Sequence, residues 1–215
     1  MAVAIRPARP DDAAFLAGVV LAAGRSHVAT SFWDLLLDRP GDAAVQAFLE
    51  RLLLASRRSW WHHAHFLVAE RDGVPAAALS GFANDDPEVE APAPAVGRAL
   101  EAHGVARAAA EAGFARAAPF MLCTLEPAAG SWLVENVATH PGHRRHGLAD
   151  ALVAEVLERG RARGHALAQL SLFIGNTPAQ RAYERHGFRV VAERRHPRFE
   201  AVVGCPGLAR MERPF

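Results

Sequence analysis

The sequence predicts one α/β domain over residues 1–215, a twisted, mixed, mostly antiparallel sheet flanked by helices. Three observations carry this expectation. Strand-like and helical patterns alternate through the second half, and an Asp72-Gly73 pair separates two apolar runs in the first half, the strongest short hairpin signal. The third is composition: 51% hydrophobic against 22% charged residues supports a packed core rather than a disordered chain. At 215 residues, about 1.4 times a typical ~150-residue domain, one enlarged domain is expected.

The elements follow in order. Val3-Ala4-Ile5 before Arg6-Pro7 reads as a short strand, and Asp11 or Asp12 can cap a helix with Phe15, Leu16, Val19 and Val20 on one face. A second helix runs from about Ala43 to Ser56, with Val45, Phe48, Leu49, Leu52 and Leu53 at helical spacing. The strand pair Phe66–Ala69 and Ala76–Leu79 flanks the Asp72-Gly73 turn. Residues 84–118 open acidic and Pro-rich and continue as an Ala-rich helical pattern, which reads as an insertion on a single domain. Trp132 to Thr139 is a strand, His140 to His146 a polar loop, and Leu148 to Arg163 an amphipathic helix stopped at Gly164. Leu167 to Phe173 is again a strand, and Asn176 caps a helix through Thr177-Pro178 to His186 that closes at Gly187. Phe188 to Ala192 and Leu208 to Met211 are the final strands.

Composition excludes several classes of function. Every basic residue other than histidine is Arg, so a P-loop lysine or a Schiff-base lysine is absent. The net charge of +1 gives no field for nonspecific nucleic-acid binding. Charge is nevertheless uneven: residues 1–139 carry a net −5 and residues 140–200 a net +5, so the second half suits a polyanionic small molecule. Cys123 and Cys205 form no C-x-x-C pair, and the apolar run Phe15 to Ala23 is too short and wrongly flanked for a signal peptide or a membrane span. A cytoplasmic protein is expected.

The chemistry concentrates at Arg144-Arg145-His146-Gly147-Leu148-Ala149, where a strand turns into a helix. Successive N–H groups at a helix start point outward unsatisfied, and Gly147 and Ala149 lack the bulk that would keep a phosphate from the main chain. On its own the turn is equally an ordinary glycine-containing helix entry. Downstream, Asn176-x-x-Ala179-x-x-x-Tyr183-x-x-x-Gly187-Phe188 completes a pair of motifs. Their order and separation resemble the GNAT superfamily of acyl-CoA-dependent N-acetyltransferases, strongly over residues 131–192 and more weakly over 2–25 and 65–83.

The resemblance implies a sheet whose fourth and fifth strands run parallel and splay apart to admit acetyl-CoA. It implies a pyrophosphate on the amides of Arg145, His146, Gly147, Leu148, Ala149 and Asp150, with Arg144 also at the cofactor, and a pantetheine arm paired to Val137, Ala138 and Thr139. Asn176 would contact the cofactor, and an amide near Val137 would polarise the thioester carbonyl. Tyr183, the only tyrosine, would protonate the departing thiolate; its alternative is a ring packed on the sheet. Many relatives place a Glu five residues before the Asn, where this chain has Ser171, so the expected base becomes Glu135 on the strand lining the cleft, or else Glu135 is a solvated edge charge or a partner of Arg144. The implied reaction is direct acetyl transfer from acetyl-CoA to a primary amine, without a covalent enzyme intermediate. A non-catalytic acyl-CoA sensor, favoured by Ser171, is the runner-up.

His140, His143 and His146 recur every three residues, and His62, His63 and His65 cluster beside Trp60-Trp61, so a metal has to be weighed. Arg144 and Arg145 beside the first trio oppose a cation, and no metal is expected. Trp33, Trp60, Trp61 and His63 are candidates for the acceptor pocket, together with the connection at about 194–206, although core is the better reading for at least two of the tryptophans. The acceptor reads as a small-molecule or peptide amine, with no nucleic acid and no membrane as partner; a homodimer stays open.

Overall fold

The computed structural model describes residues 3–215; residues 1 and 2 of the expected domain lie outside it. Its seven strands are β1 (Val3–Pro7), β2 (Phe66–Arg71), β3 (Val74–Ala83), β4 (Trp132–Thr139), β5 (Leu167–Phe173), β6 (Arg189–Arg195) and β7 (Gly207–Pro214). They form one sheet in the order β1-β2-β3-β4-β5-β7-β6. Every neighbouring pair is antiparallel except β4 and β5, which run parallel. The eight helices are α1 (Ala13–Arg25), α2 (Phe32–Leu36), α3 (Asp42–Leu53), α4 (Pro92–Ala102), α5 (Arg107–Met121), α6 (Leu148–Ala162), α7 (Thr177–Arg185) and α8 (Pro197–Val203).

The local signals translate directly. Asp72 and Gly73 both take positive φ, 53° and 81°, as the two-residue turn joining β2 to β3 demands. Asp12 stands at the start of α1, yet its carboxylate turns backward: it accepts from the Arg9 amide at 2.7 Å and from both terminal nitrogens of Arg6 at 2.7 and 2.8 Å. The Arg6 guanidinium thereby holds the Asp12 carboxyl below its ordinary range and ties β1 to α1. The cap is thus an anchor between strand and helix.

Two helices have no counterpart in the expected element list. α2 is a single turn closed by a capping box in which Ser31 Oγ accepts from the Asp34 amide and the Asp34 carboxylate accepts from the Ser31 amide. α8 replaces what reads as the loop between the last strands: His196 Nδ1 accepts from the Arg198 amide, Pro197 opens the helix and Gly204 closes it at φ 95°. The 84–118 stretch lies in the long connection from β3 to β4, holding α4 and α5, with α5 continuing to Met121.

The central strands of the sheet are covered on both faces, while β6 at one edge is exposed along most of its length. On one, α1 to α4 pack Leu16, Phe48, Leu49, Leu52 and Leu100 over Val68 and Ala78. On the other, α6 packs Leu148, Leu152 and Val156 over Leu67, Leu79, Val134 and Leu170. A third, smaller cluster of Cys123, Phe173, Phe199, Val203, Cys205 and Leu208 sits under α5 and α8. α5 crosses α2 so closely that a Cβ on Gly113 would lie 2.3 Å from the Leu36 carbonyl oxygen. At an open helix position Gly→Ala gains up to about 1 kcal/mol; at this crossing the sign reverses. Gly113→Ala is expected to lose about 2 kcal/mol and ~4–8 °C of melting temperature. Thermal unfolding checks it, and a stabilised variant would show that the crossing yields freely.

Candidate active site

The feature that creates a site is the divergence of β4 and β5. Their register pairs only Trp132 with Ala168 and Leu133 with Gln169. Beyond those residues no further pair forms between the two strands, which opens a gap between backbones that elsewhere bond to a neighbour. On its other flank β4 carries a bulge. Ala78 pairs with Ala138 and Ser80 with Glu135, so Asn136 and Val137 together oppose the single residue Leu79. Asn136 takes φ 54°, a conformation that Asn tolerates better than most side chains. Its Nδ2 donates to Ser80 Oγ at 3.0 Å, and Ser80 Oγ donates to the Glu135 carbonyl at 3.2 Å. The bulge is therefore pinned by a buried serine. A bulge leaves its extra residue outside the ladder, so Val137 is where backbone groups can turn toward the gap.

Glu135 stands just before the bulge. Burial raises its carboxyl to about 7, although the side chain keeps part of its surface open. No side chain among the described residues pairs with it, so the expected alternatives of a partner for Arg144 or a fully solvated edge charge are not what the structure contains. Tyr183, on α7, packs against the α6-facing core. Its ring packs edge-on against Phe188 at 6.1 Å, and burial, then the nearby Glu135 charge, push its hydroxyl well above the usual phenol range. The structure thus brings these two groups within electrostatic reach of each other.

Following β4, a short 3₁₀ turn over Pro141–His143 leads to α6. Arg145 and Gly147 both adopt left-handed geometry, φ 64° and 72°. Gly147 is the N-cap of α6 and supplies no side-chain cap, and nothing lies within 4 Å of where its Cβ would be. The first amides of a 15-residue helix therefore face open space at its positive end. Arg144 and Arg145 are exposed and have no partner among the described residues. Leu148 is buried under the helix, and Asp150 in its first turn is engaged by Arg185 at 3.0 Å and His186 at 3.2 Å. These donors suit a pyrophosphate. Asn176 caps α7, with Oδ1 accepting from the Ala179 amide at 3.2 Å and Nδ2 donating to Ser26 Oγ at 2.6 Å, which latches the end of α1 to the end of β5.

The aromatic candidates separate. Trp33 is 4% exposed and lies in the core against Phe48 and Trp61, so its ring offers no wall to a pocket. Trp61 is half-buried on the same cluster. Trp60 tilts over Phe82 at 5.6 Å, on the strand that carries Ser80. His63 stacks with His62 at 4.4 Å, and its basicity is lowered by burial, while burial takes His62 and His65 down to about 4. His140 Nδ1 accepts from the Gly142 amide at 3.3 Å and so shapes the loop. Among the described residues no cluster of three His, Cys, Asp or Glu is placed to hold a metal ion. Ser80 and Asn136, which build the bulge, escape a sequence reading; the one available signal was an Asn inside an otherwise strand-like run.

A parallel strand pair that parts beside a bulge, next to an uncapped glycine-led helix, defines the acetyltransferase class of fold. The chain matches the acetyltransferase (GNAT) family over residues 30–188 and belongs to that family. Its fold is similar to an N-acetyltransferase from Staphylococcus aureus Mu50 (TM-score 0.70, 18% identity, 98% of this chain and 100% of that one). It is also similar to an acetyltransferase of the GNAT family from Streptococcus pneumoniae (TM-score 0.54, 16% identity, 100% and 99%). No curated protein sequence matches the chain. No helix among the described residues is long and apolar enough to cross a membrane.

Proposed function

We propose that this protein transfers the acetyl group of acetyl-CoA to a primary amine by direct attack within the gap between β4 and β5. The observation that carries the proposal is Glu135, a carboxyl unpaired among the described residues beside the bulge where β4 and β5 part, close enough for its charge to act on the Tyr183 hydroxyl. The amides from Arg145 to Asp150, in the turn and at the start of α6, hold the pyrophosphate, with Arg144 and Arg145 adding charge, and Val137 to Thr139 align the pantetheine arm. Bound acetyl-CoA supplies an activated acyl thioester. Glu135, ionised above about 7, takes the proton of the attacking amine, directly or through one water. The bulge amide at Val137 donates to the oxygen on which negative charge develops. Tyr183, held protonated by burial, donates to the departing sulfur. The two transfers are coupled: once Glu135 has gained a proton, the charge that made Tyr183 a weaker acid is gone, and the phenol becomes a better donor when it is needed.

A sensor lacking a base is the weaker reading, since Glu135 supplies a carboxyl where Ser171 does not. Two unpaired buried thiols, Cys123 and Cys205, fit the cytoplasmic assignment. The test is calorimetric titration with acetyl-CoA and with CoA, then thiol release on adding a panel of amines. Binding with amine-dependent release supports transfer; binding without release supports the sensor.

Gly147→Val probes the cradle separately. Its side chain would stand in the open space at the α6 start and strain the left-handed backbone, at a folding cost of about 1–2 kcal/mol. Acetyl-CoA affinity is expected to fall more than about ten-fold, because the branched side chain holds the pyrophosphate off the amides. Unchanged affinity by calorimetry would remove the turn from the binding site.

A further inference from the structure

The wall across the gap from Glu135 carries a cation. Side chains alternate along a strand, and the register places Leu133 and Glu135 of β4 on one face with Gln169, Ser171 and Phe173 of β5. β7 continues that face with Leu208, Arg210 and Glu212, which pair with Phe173, Ser171 and Gln169 respectively. The packing agrees, since the intervening Ala168, Leu170, Leu172, Ala209 and Met211 all belong to the opposite, α6-facing core. At one height the sheet therefore presents Ser80, Glu135, the gap, Ser171 and Arg210.

Ser171 gives the guanidinium beside it no counter-charge on β5, so its acidic neighbour is Glu212 of its own strand. Arg210 is only partly satisfied. Its Nη1 donates to the Glu126 carbonyl at 2.9 Å and Nε lies 3.1 Å from a Glu212 carboxylate oxygen, but Nε is buried without a well-aligned hydrogen bond. Nη2 has no partner among the described residues. The side chain is a quarter exposed. The surroundings are basic as well: residues 189–215 hold six Arg against three Glu and no Asp.

We propose that the acceptor is an amine that also bears a carboxylate, an amino acid or amino-acid-like molecule, with its amine at Glu135 and its carboxylate on Arg210. This rests on the transfer reading above. Two strand spacings of ~4.8 Å separate the Glu135 and Arg210 backbones by about 10 Å or more. Both side chains rise from the same sheet face, and the Arg210 guanidinium extends to the Glu126 carbonyl. A guanidinium with an unpartnered Nη2 is suited to donate to a carboxylate.

The experiment uses matched pairs with and without the carboxylate: alanine and ethylamine, phenylalanine and phenethylamine, lysine and cadaverine. Thiol release is followed at saturating acetyl-CoA, with acetyl-CoA binding measured calorimetrically on the same samples. In at least one pair the acid-bearing member is expected to show a kcat/KM about ten- to a hundred-fold above its partner. Arg210→Met should collapse that ratio toward one through KM, and Arg210→Lys should restore part of it. Because Arg210 also ties down Glu126, melting curves accompany both variants. Should Arg210→Met fail to fold, Arg210→Lys carries the test, and its ratio must still fall. Equal or better use of the decarboxylated amines in all three pairs, or a ratio that Arg210 variants leave unmoved, overturns the carboxylate assignment while transfer stands. Acetyl-CoA binding with no release from any amine overturns the transfer reading, and this assignment with it.

Discussion

Glu135→Gln is expected to lower kcat by about 10²–10³-fold, the usual contribution of a positioned base. The wild-type rate should rise with pH through about 7, where the buried carboxyl ionises, and the variant should lose that limb. Stability should move the other way. Folding raises this carboxyl from 4.5 to about 7, so its contribution is fully present below the unfolded value and is lost as pH climbs through the folded one. At pH 8 the native protein carries a buried charge that costs about 2 kcal/mol, after discounting for the open side of the residue. Glutamine removes that charge. The variant is expected to be more stable than wild type at pH 8 and to converge with it near pH 4.5, as denaturant midpoints at the two pH values will show. Opposite signs in activity and stability separate a lost base from general damage; a pH–rate profile identical to wild type would place the base elsewhere.

For Tyr183→Phe the expected loss is about 10²-fold in kcat with little change in acetyl-CoA affinity. The ring and its edge contact with Phe188 survive the substitution, so only the donated proton is removed. Because burial and the Glu135 charge lift the hydroxyl beyond the ordinary range, it stays protonated throughout neutral pH, and no alkaline limb from Tyr183 is expected there. The diagnostic is the leaving group. An acyl donor with a more acidic thiol needs less help to depart, so the penalty should shrink with such a donor. An equal penalty for both donors, or undiminished turnover with acetyl-CoA, removes Tyr183 from proton delivery.

Much of this molecule could be read before any coordinates. Asp72-Gly73 foretold its hairpin, the periodicity of Leu148 to Leu157 foretold α6, and the pair of motifs around Gly147 and Tyr183 pointed to the family whose match spans residues 30–188. α2 was missed because a capping box on a five-residue helix leaves too little periodicity to detect, and α8 because its His196-Pro197 start lies in a stretch rich in loop-forming residues. Trp33 was ambiguous for another reason: a tryptophan suits a pocket wall and a core equally, and only the packing of α1 to α4 puts it in the core.

The division has one physical origin. Turns, caps, amphipathic faces and the glycine-led anion cradle depend on backbone conformations and side-chain spacings within a few residues, so the order of amino acids alone specified them. Which side chains share a cavity depends on strand register and on where strands part. The bulge at Asn136, the buried Ser80 that pins it, Glu135 beside the parting strands, and Arg210 set across from Ser171 all arise from pairings between distant segments. A one-residue slip in any of those registers would turn each side chain to the other face, and it took the assembled sheet to settle them.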